Sequence, residues 1–167
     1  FQDIKSFNPN QSTGFYAQQD TTEFFLSTIW ITFWTLSLLS ALATVYVIRI
    51  LRLLSVSLPL SIIGGLTYAF GTLVFFFSTI YFAHGLHAAF VVFSLHTCLR
   101  LAKFRTVQIR DYVLIGFFAG MTFTMEFLGA ALIIVVGIYM LLTQGRRSMY
   151  FYILGAILPC SLVLLYN

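Results

Sequence analysis

The sequence predicts an all-α integral membrane protein, and three observations carry that prediction. Of 167 residues, 60% are hydrophobic and only 8% are charged, where a soluble domain carries about 25% charged residues. Mean hydropathy is +0.95. The basic residues gather in short clusters at 49–52, 100–110 and 146–147, between apolar runs. That alternation is the pattern of membrane topology. The formal net charge of +4 is therefore read as a topology signal, and no nucleic acid is expected as a partner.

Residues 1–23, "FQDIKSFNPNQSTGFYAQQDTTE", are the polar exception and are expected to form an extracytoplasmic N-terminal segment. Asn, Gln, Ser and Pro favour loop there. Asp20 and Glu23 stand at capping-box spacing, which predicts a helix start near Thr21. Asn10-Gln11-Ser12 matches a glycosylation sequon, meaningful only in a eukaryotic secretory compartment. The chain begins with Phe and shows no legible signal peptide, so it is expected to be a processed product or a fragment.

Residues 24–167 are expected to form a polytopic helical membrane domain. The first apolar run, Phe24 to Ile48, is long enough to cross ~30 Å of hydrocarbon. Trp30 and Trp34 lie toward its first end, as an aromatic belt would. Ser37, Ser40, Ala41 and Thr44 recur at helical spacing, a stripe that admits a neighbouring helix. Ser57-Leu58-Pro59 reads as a helix start, with Pro tolerated in the first turn. A second run extends from Leu60 to about Ala83, thinned by Gly64, Gly65 and Gly71. "AHGLHAA" is expected to interrupt it before a third run, Leu86 to Leu101. The last run, Tyr150 to Tyr166, contains Pro159, which should kink it.

The stretch 112–142 is apolar apart from Glu126. As one helix it would be ~46 Å long, well beyond a ~30 Å core. It would also bring Arg146 and Arg147 out on the wrong side, because Lys and Arg favour the cytoplasmic face. A short hairpin turning near Glu126, with legs of ~21–24 Å, reconciles all three basic clusters. Gly116-x-x-x-Gly120 is expected to pack the two legs together. The reading totals about six transmembrane helices of uneven length, in a bacterial inner (cytoplasmic) membrane. The N-terminal segment and the Glu126 turn lie outside, and the basic clusters are cytoplasmic.

A carboxylate in hydrocarbon costs ~2.5–3.5 kcal/mol on insertion scales, so Glu126 is expected to face a cavity or a partner. His84 is the best partner, since topology puts both at the outer side. His84 and His87 stand at i, i+3 and would share one helical face as a metal or pigment ligand pair. The plainer reading is a histidine pair bonded to backbone. His96 is read as a packed histidine hydrogen-bonded across helices, with a pigment ligand as the sharper alternative. Cys98 and Cys160 lack CxxC spacing and read as small buried residues. No metal site follows, and no GxGxxG, GxxxxGK or CxxC points to a nucleotide or redox cofactor. Membrane lipids are expected partners, with headgroup contact at the basic clusters secondary to topology.

Three stretches in order carry a resemblance: "LTYAFGTLVFFFSTIYFAHGLHAAF" (66–90), "GFFAGMTFTMEFLGAALIIVVGIYMLL" (116–142) and "LGAILPCSLVLLYN" (154–167). They resemble the middle of bacterial polytopic proteins of the GT-C glycosyltransferase superfamily, of the mannosyltransferase-like type. Tyr68, Gly71 and Thr72 match that family's Tyr-x-x-Gly-Thr run. Ser78, Thr79, Phe82 and His84 match its Ser-Thr-x-x-Phe-x-His. Gly116, Gly120 and Glu126 match its third motif, although Met125 stands where the family often has Thr. Pro159, Tyr166 and Asn167 match its Leu-Pro before Tyr-Asn. The likeness covers roughly residues 58–167.

The resemblance implies helices of uneven length around an outer-facing cavity, and transfer of a sugar from a polyprenyl-phosphate donor. It also implies a catalytic Asp or Glu in an outer loop after a first membrane helix. Asp3 and Asp20 precede the first helix here, so no catalytic residue is assigned. The chain is expected to be a membrane module of such an enzyme without its catalytic loop, or a non-catalytic relative. The alternative is an accessory subunit of a respiratory or photosynthetic membrane complex, to which 19 Phe, 9 Tyr and 2 Trp would lend contact surface. Haem or chlorophyll on His84 or His96 would enter only there. A transporter ranks last, because no internal repeat is visible.

Overall fold

The structure, a computed structural model, describes residues 14–79, 83–104 and 108–166, the side chains of 14–22, 164 and 166 aside. Asp3, Lys5, the sequon at Asn10, Phe82, Arg105 and Asn167 lie outside the described residues. Those described form helices and their connections, with no strand.

The first rod comprises α1 (Gly14–Ile31), a π-helical segment (Thr32–Ser37) and α2 (Leu38–Leu53). It starts at Gly14, not near Thr21. Asp20 and Glu23 thus lie inside α1 rather than at its start. Ala17, Gln18 and Gln19 are good helix formers, so the polarity of this segment did not signal loop. The π-segment, one residue wider per turn than an α-helix, turns Leu36 into the interior. There Ser37 Oγ donates to Ser78 O at 2.9 Å. The buried small stripe of the rod is Ser40 and Ala43, whereas Ala41 is exposed.

After a tight turn with Ser55 at φ 67°, Ser57 at φ −60°, ψ 152° opens α3 (Leu58–Phe70), with Pro59 in its first turn. Gly65 lets α3 lie on α2, since a Cβ there would stand 2.9 Å from Ile48 Cδ1 and 3.5 Å from Thr44 O. The expected second run, Leu60 to Ala83, is broken. The chain bends by 54° between α3 and α4 (Leu73–Thr79). At the break, Thr72 Oγ1 donates to Tyr68 O at 2.7 Å and accepts from Val74 N at 3.2 Å. A side-chain hydroxyl thus replaces the partners that a helix end loses.

α5 (Ala83–Lys103) begins at the first residue of "AHGLHAA", so that segment is helical and the run expected from Leu86 starts three residues earlier. Its single Gly is outweighed there by Ala and Leu, and both His side chains find partners. α5 supplies Ala89, Phe90, Val92 and Phe93 to a core shared with Ala43 of α2 and Phe118 of the following helix.

α6 (Ile109–Met125) and α7 (Gly129–Gln144) form the expected hairpin. The helix breaks at Glu126, whose backbone is extended at φ −153°, ψ 139°. Tyr112 O–H donates to Gln144 Oε1 at 3.2 Å, so the start of α6 meets the end of α7 and the legs are antiparallel. Gly116 and Gly120, however, do not pack these legs together. A Cβ on Gly116 would overlap the Tyr152 carbonyl oxygen, and one on Gly120 would come within 2.9 Å of Ala156 O. Both face α8 (Arg146–Tyr166). That helix begins at Arg146, earlier than the expected Tyr150, because Gly145 at φ 85° turns the chain in one residue. Pro159 lies inside α8 without ending it and packs on Gly120.

Contacts fix which ends lie together. Lys103 Nζ donates to Leu53 O at 2.5 Å. Arg100 pairs with Asp111, and Tyr112 with Gln144. The described basic residues of the three clusters, Arg49, Arg52, Arg100, Lys103, Arg110, Arg146 and Arg147, therefore gather at one end of the bundle, with Glu126 at the other. Among the described residues, Glu23–Leu53 and Ala83–Lys103 are long and apolar enough to cross a membrane, and the bent α3–α4 pair is a third candidate as one broken span. That is compatible with an integral membrane protein.

Candidate functional site

The end opposite the basic clusters is built from the start of α5 and the tip of the α6–α7 hairpin. His84 lies in the first turn of α5, and Glu126 is the residue at which α6 stops. His84 Nδ1 and Glu126 Oε1 are hydrogen-bonded to each other. The histidine side chain is 48% exposed and the carboxylate 20%, so the pair is half open. The expected pairing of these two residues is present.

One turn further along α5, His87 Nδ1–H donates to Thr122 O at 3.1 Å. Because a carbonyl can only accept, the Nδ1 tautomer is required. Thr122 O also accepts the Glu126 backbone N–H at 3.0 Å, so α5 helps to close the last turn of α6. His87 thus follows the plainer backbone-bonded reading, whereas its neighbour engages a carboxylate.

Two clefts flank the His84–Glu126 pair. One, of about 610 Å³, is bordered by the α3–α4 break and α5, with Gly71, Thr72, Phe77 and His84 among its walls. The other, of about 600 Å³, lies between the hairpin tip and α8, with Thr124, Glu126, Phe127 and Leu162 in its lining. The chemistry available is one carboxylate and one imidazole between mainly apolar walls. It suits holding and orienting a polar head on an apolar body.

His96 is not hydrogen-bonded across helices as expected. Its ring stands edge-on to Tyr46 of α2, with centroids 4.7 Å apart. Neither His87 nor His96 borders the cleft that holds His84, so the three histidines stand at separate places in the fold. No group of three or more His, Cys, Asp or Glu among the described residues is placed to hold a metal ion. Cys98 and Cys160 are free thiols, the former buried.

One site was missed from sequence. Asp111 is buried at the basic end, where it pairs with Arg100 and accepts the Gln108 backbone N–H at 3.2 Å. The signal was Gln108-x-x-Asp111 at helix-start spacing, directly before an apolar run and one short loop after Arg100.

Comparison with known proteins finds no matching family model, no matching curated protein and no matching solved structure.

Proposed function

We propose that this chain is the membrane module of a GT-C-like polyprenyl-phosphate-sugar glycosyltransferase, with no catalytic residue assigned within it. On this reading it crosses the bacterial inner membrane about six times: the first rod, the bent α3–α4 pair, α5, α6, α7 and α8. The basic clusters face the cytoplasm, and the polar segment 1–23 and the Glu126 turn lie outside. One observation carries the proposal, namely that residues from separate stretches of the resemblance converge at one end of the bundle. Gly71, Thr72 and His84 border one cleft, His84 meets Glu126, and Gly120 packs on Pro159. A half-open imidazole–carboxylate pair between two clefts suits a substrate with a charged head and a long apolar tail.

The test is photo-crosslinking of the full chain in its native membrane with a diazirine-bearing polyprenyl phosphate. Label should map to peptides around 71–88 and 123–127. Excess polyprenyl phosphate should compete, and uncharged polyprenol should compete far less. Label spread evenly over all helices, or equal competition by the uncharged alcohol, would refute the proposal.

A second reading, an accessory subunit of a larger membrane complex, is favoured by the first rod. Phe24, Phe25, Trp30, Phe33 and Trp34 are all exposed along it, and Trp30 and Trp34 stack on each other at 6.4 Å. Such an aromatic face offers contact surface to a partner helix. Migration of the chain from mildly solubilised native membranes at the size of a large assembly supports this reading, and migration as a single chain opposes it.

A further inference from the structure

An apolar groove of about 390 Å³ runs between α7 and α8. It is walled by Gly137, Ile138 and Leu141 on one side and Met149, Ile153 and Ala156 on the other. Its lining runs from Leu141 and Met149, near the α7–α8 junction, to Ile133 and Cys160. Arg146 and Arg147 stand at that junction, exposed and without a hydrogen bond or ion pair among the described residues. Arg146 precedes Met149, Ile153, Ala156 and Ile157 by helical offsets that put all five on one face of α8. The groove therefore has a cationic head and an apolar body.

Its length selects the occupant. From Met149 to Cys160 the lining of α8 covers ~16 Å, about one leaflet of a ~30 Å core. A partner transmembrane helix would continue across both leaflets, whereas an acyl chain stops at the midplane. We propose that this groove binds an anionic phospholipid of the leaflet at the basic end, with an acyl chain along Gly137 and Ala156 and the phosphate at Arg146 and Arg147. The inference rests on the membrane reading above and is independent of the glycosyltransferase one. The missing side chain at Gly137 keeps the floor open, since a Cβ there would already reach Met149 Cε and Tyr152 Cε1 at 3.4 Å.

The test uses the full chain reconstituted in nanodiscs of equal phosphatidylglycerol and phosphatidylcholine, with retained lipid read by native mass spectrometry. The wild type should keep phosphatidylglycerol in preference. Arg146→Gln with Arg147→Gln should lower that preference by about five-fold per arginine, and added salt should do likewise. Gly137→Leu should reduce retention of both lipids while sparing the preference. Arg49→Gln with Arg52→Gln, at the same end but off the groove, should change neither. An unchanged preference in the Arg146/Arg147 variant overturns the proposal, and so does an equal loss in the Arg49/Arg52 variant. Displacement of the lipid by glycerol phosphate, which has no chains, would reassign the site to a free phosphate ester and overturn it too. So would a wild-type dimer that Gly137→Leu dissociates, because a second copy would then fill the groove. A chain soluble without detergent would instead refute the membrane reading, which keeps the two failures distinct.

Discussion

Replacing Gly116 by Ala puts a methyl group where α6 has no room for one. The new Cβ would overlap the Tyr152 carbonyl oxygen and stand 3.0 Å from the Ala156 backbone nitrogen. These are backbone atoms of a helix and cannot rotate aside, so α6 and α8 must separate. Overpacking of this kind costs about 1–3 kcal/mol, against about 1 kcal/mol returned by the better helix propensity of Ala. Gly137→Ala is the matched control. Its Cβ would touch only the side-chain atoms Met149 Cε and Tyr152 Cε1, both at 3.4 Å. The propensity gain is common to both variants, so their difference isolates the overlap. At about 2–4 °C per kcal/mol for a chain of this size, Gly116→Ala should melt about 2–12 °C below Gly137→Ala in the same detergent. Thermal unfolding followed by circular dichroism measures it. Two variants that melt together would show that α6 and α8 have slack, and the close-contact account of Gly116 would fail.

Glu126→Gln should keep the fold, because an amide can still bond His84, whereas Glu126→Leu should cost about 0.5–1.5 kcal/mol, the net worth of an ordinary hydrogen bond, because His84 is 48% exposed and rehydrates. Equal melting of those two variants would mean that the His84 contact carries no stability. Asp111→Ala removes the acceptor of both Arg100 and the Gln108 amide. Arg100 is 43% exposed and rehydrates, so the cost should be about 0.5–2 kcal/mol, that of a lost helix cap. Amide exchange in the first turn of α6 should accelerate, and unchanged exchange would count against the cap. In intact cells, Phe127→Cys should label from outside and Arg147→Cys only after the inner face is opened. Labelling of both from one side would end the proposed topology.

Glu126 was legible because charge placement constrains a chain globally. Three basic clusters at one end require an even number of crossings between them, so 112–142 had to turn back, and its lone carboxylate marked the place. His84 followed from the same count. Other features depend on local chemistry that spacing does not report. Gly71 was read as thinning a helix, but the break beside it is sustained by the Thr72 hydroxyl, which any Thr could also direct elsewhere. Gly116-x-x-x-Gly120 says that a backbone comes close without saying whose, and here it is α8 rather than α7. "AHGLHAA" looked like an interruption because its histidines were judged as polar residues in apolar sequence. With Glu126 and Thr122 O to receive them, the segment forms the first turns of α5.

On the proposed six-span reading, the hairpin tip explains why a carboxylate is tolerated near hydrocarbon. Irregular backbone at membrane depth is stable only if its polar groups find internal partners. At this tip four amides do. Glu126 N–H donates to Thr122 O at 3.0 Å, Gly129 N–H to Glu126 O at 2.9 Å, Ala130 N–H to Phe127 O at 3.0 Å and Ala131 N–H to Leu128 O at 3.1 Å. Gly129 is needed there, since a Cβ would overlap the Thr122 and Phe123 backbone. With the backbone closed on itself, the Glu126 side chain has no capping duty in the tip and is free to reach α5. Phe127 and Leu128 meanwhile point outward, 82% and 79% exposed, an arrangement suited to a shallow position where apolar side chains enter lipid and the turn stays near water. The carboxylate then ties the tip to the start of α5 and stands between the two clefts. Removing it should loosen the tip before it unfolds the bundle.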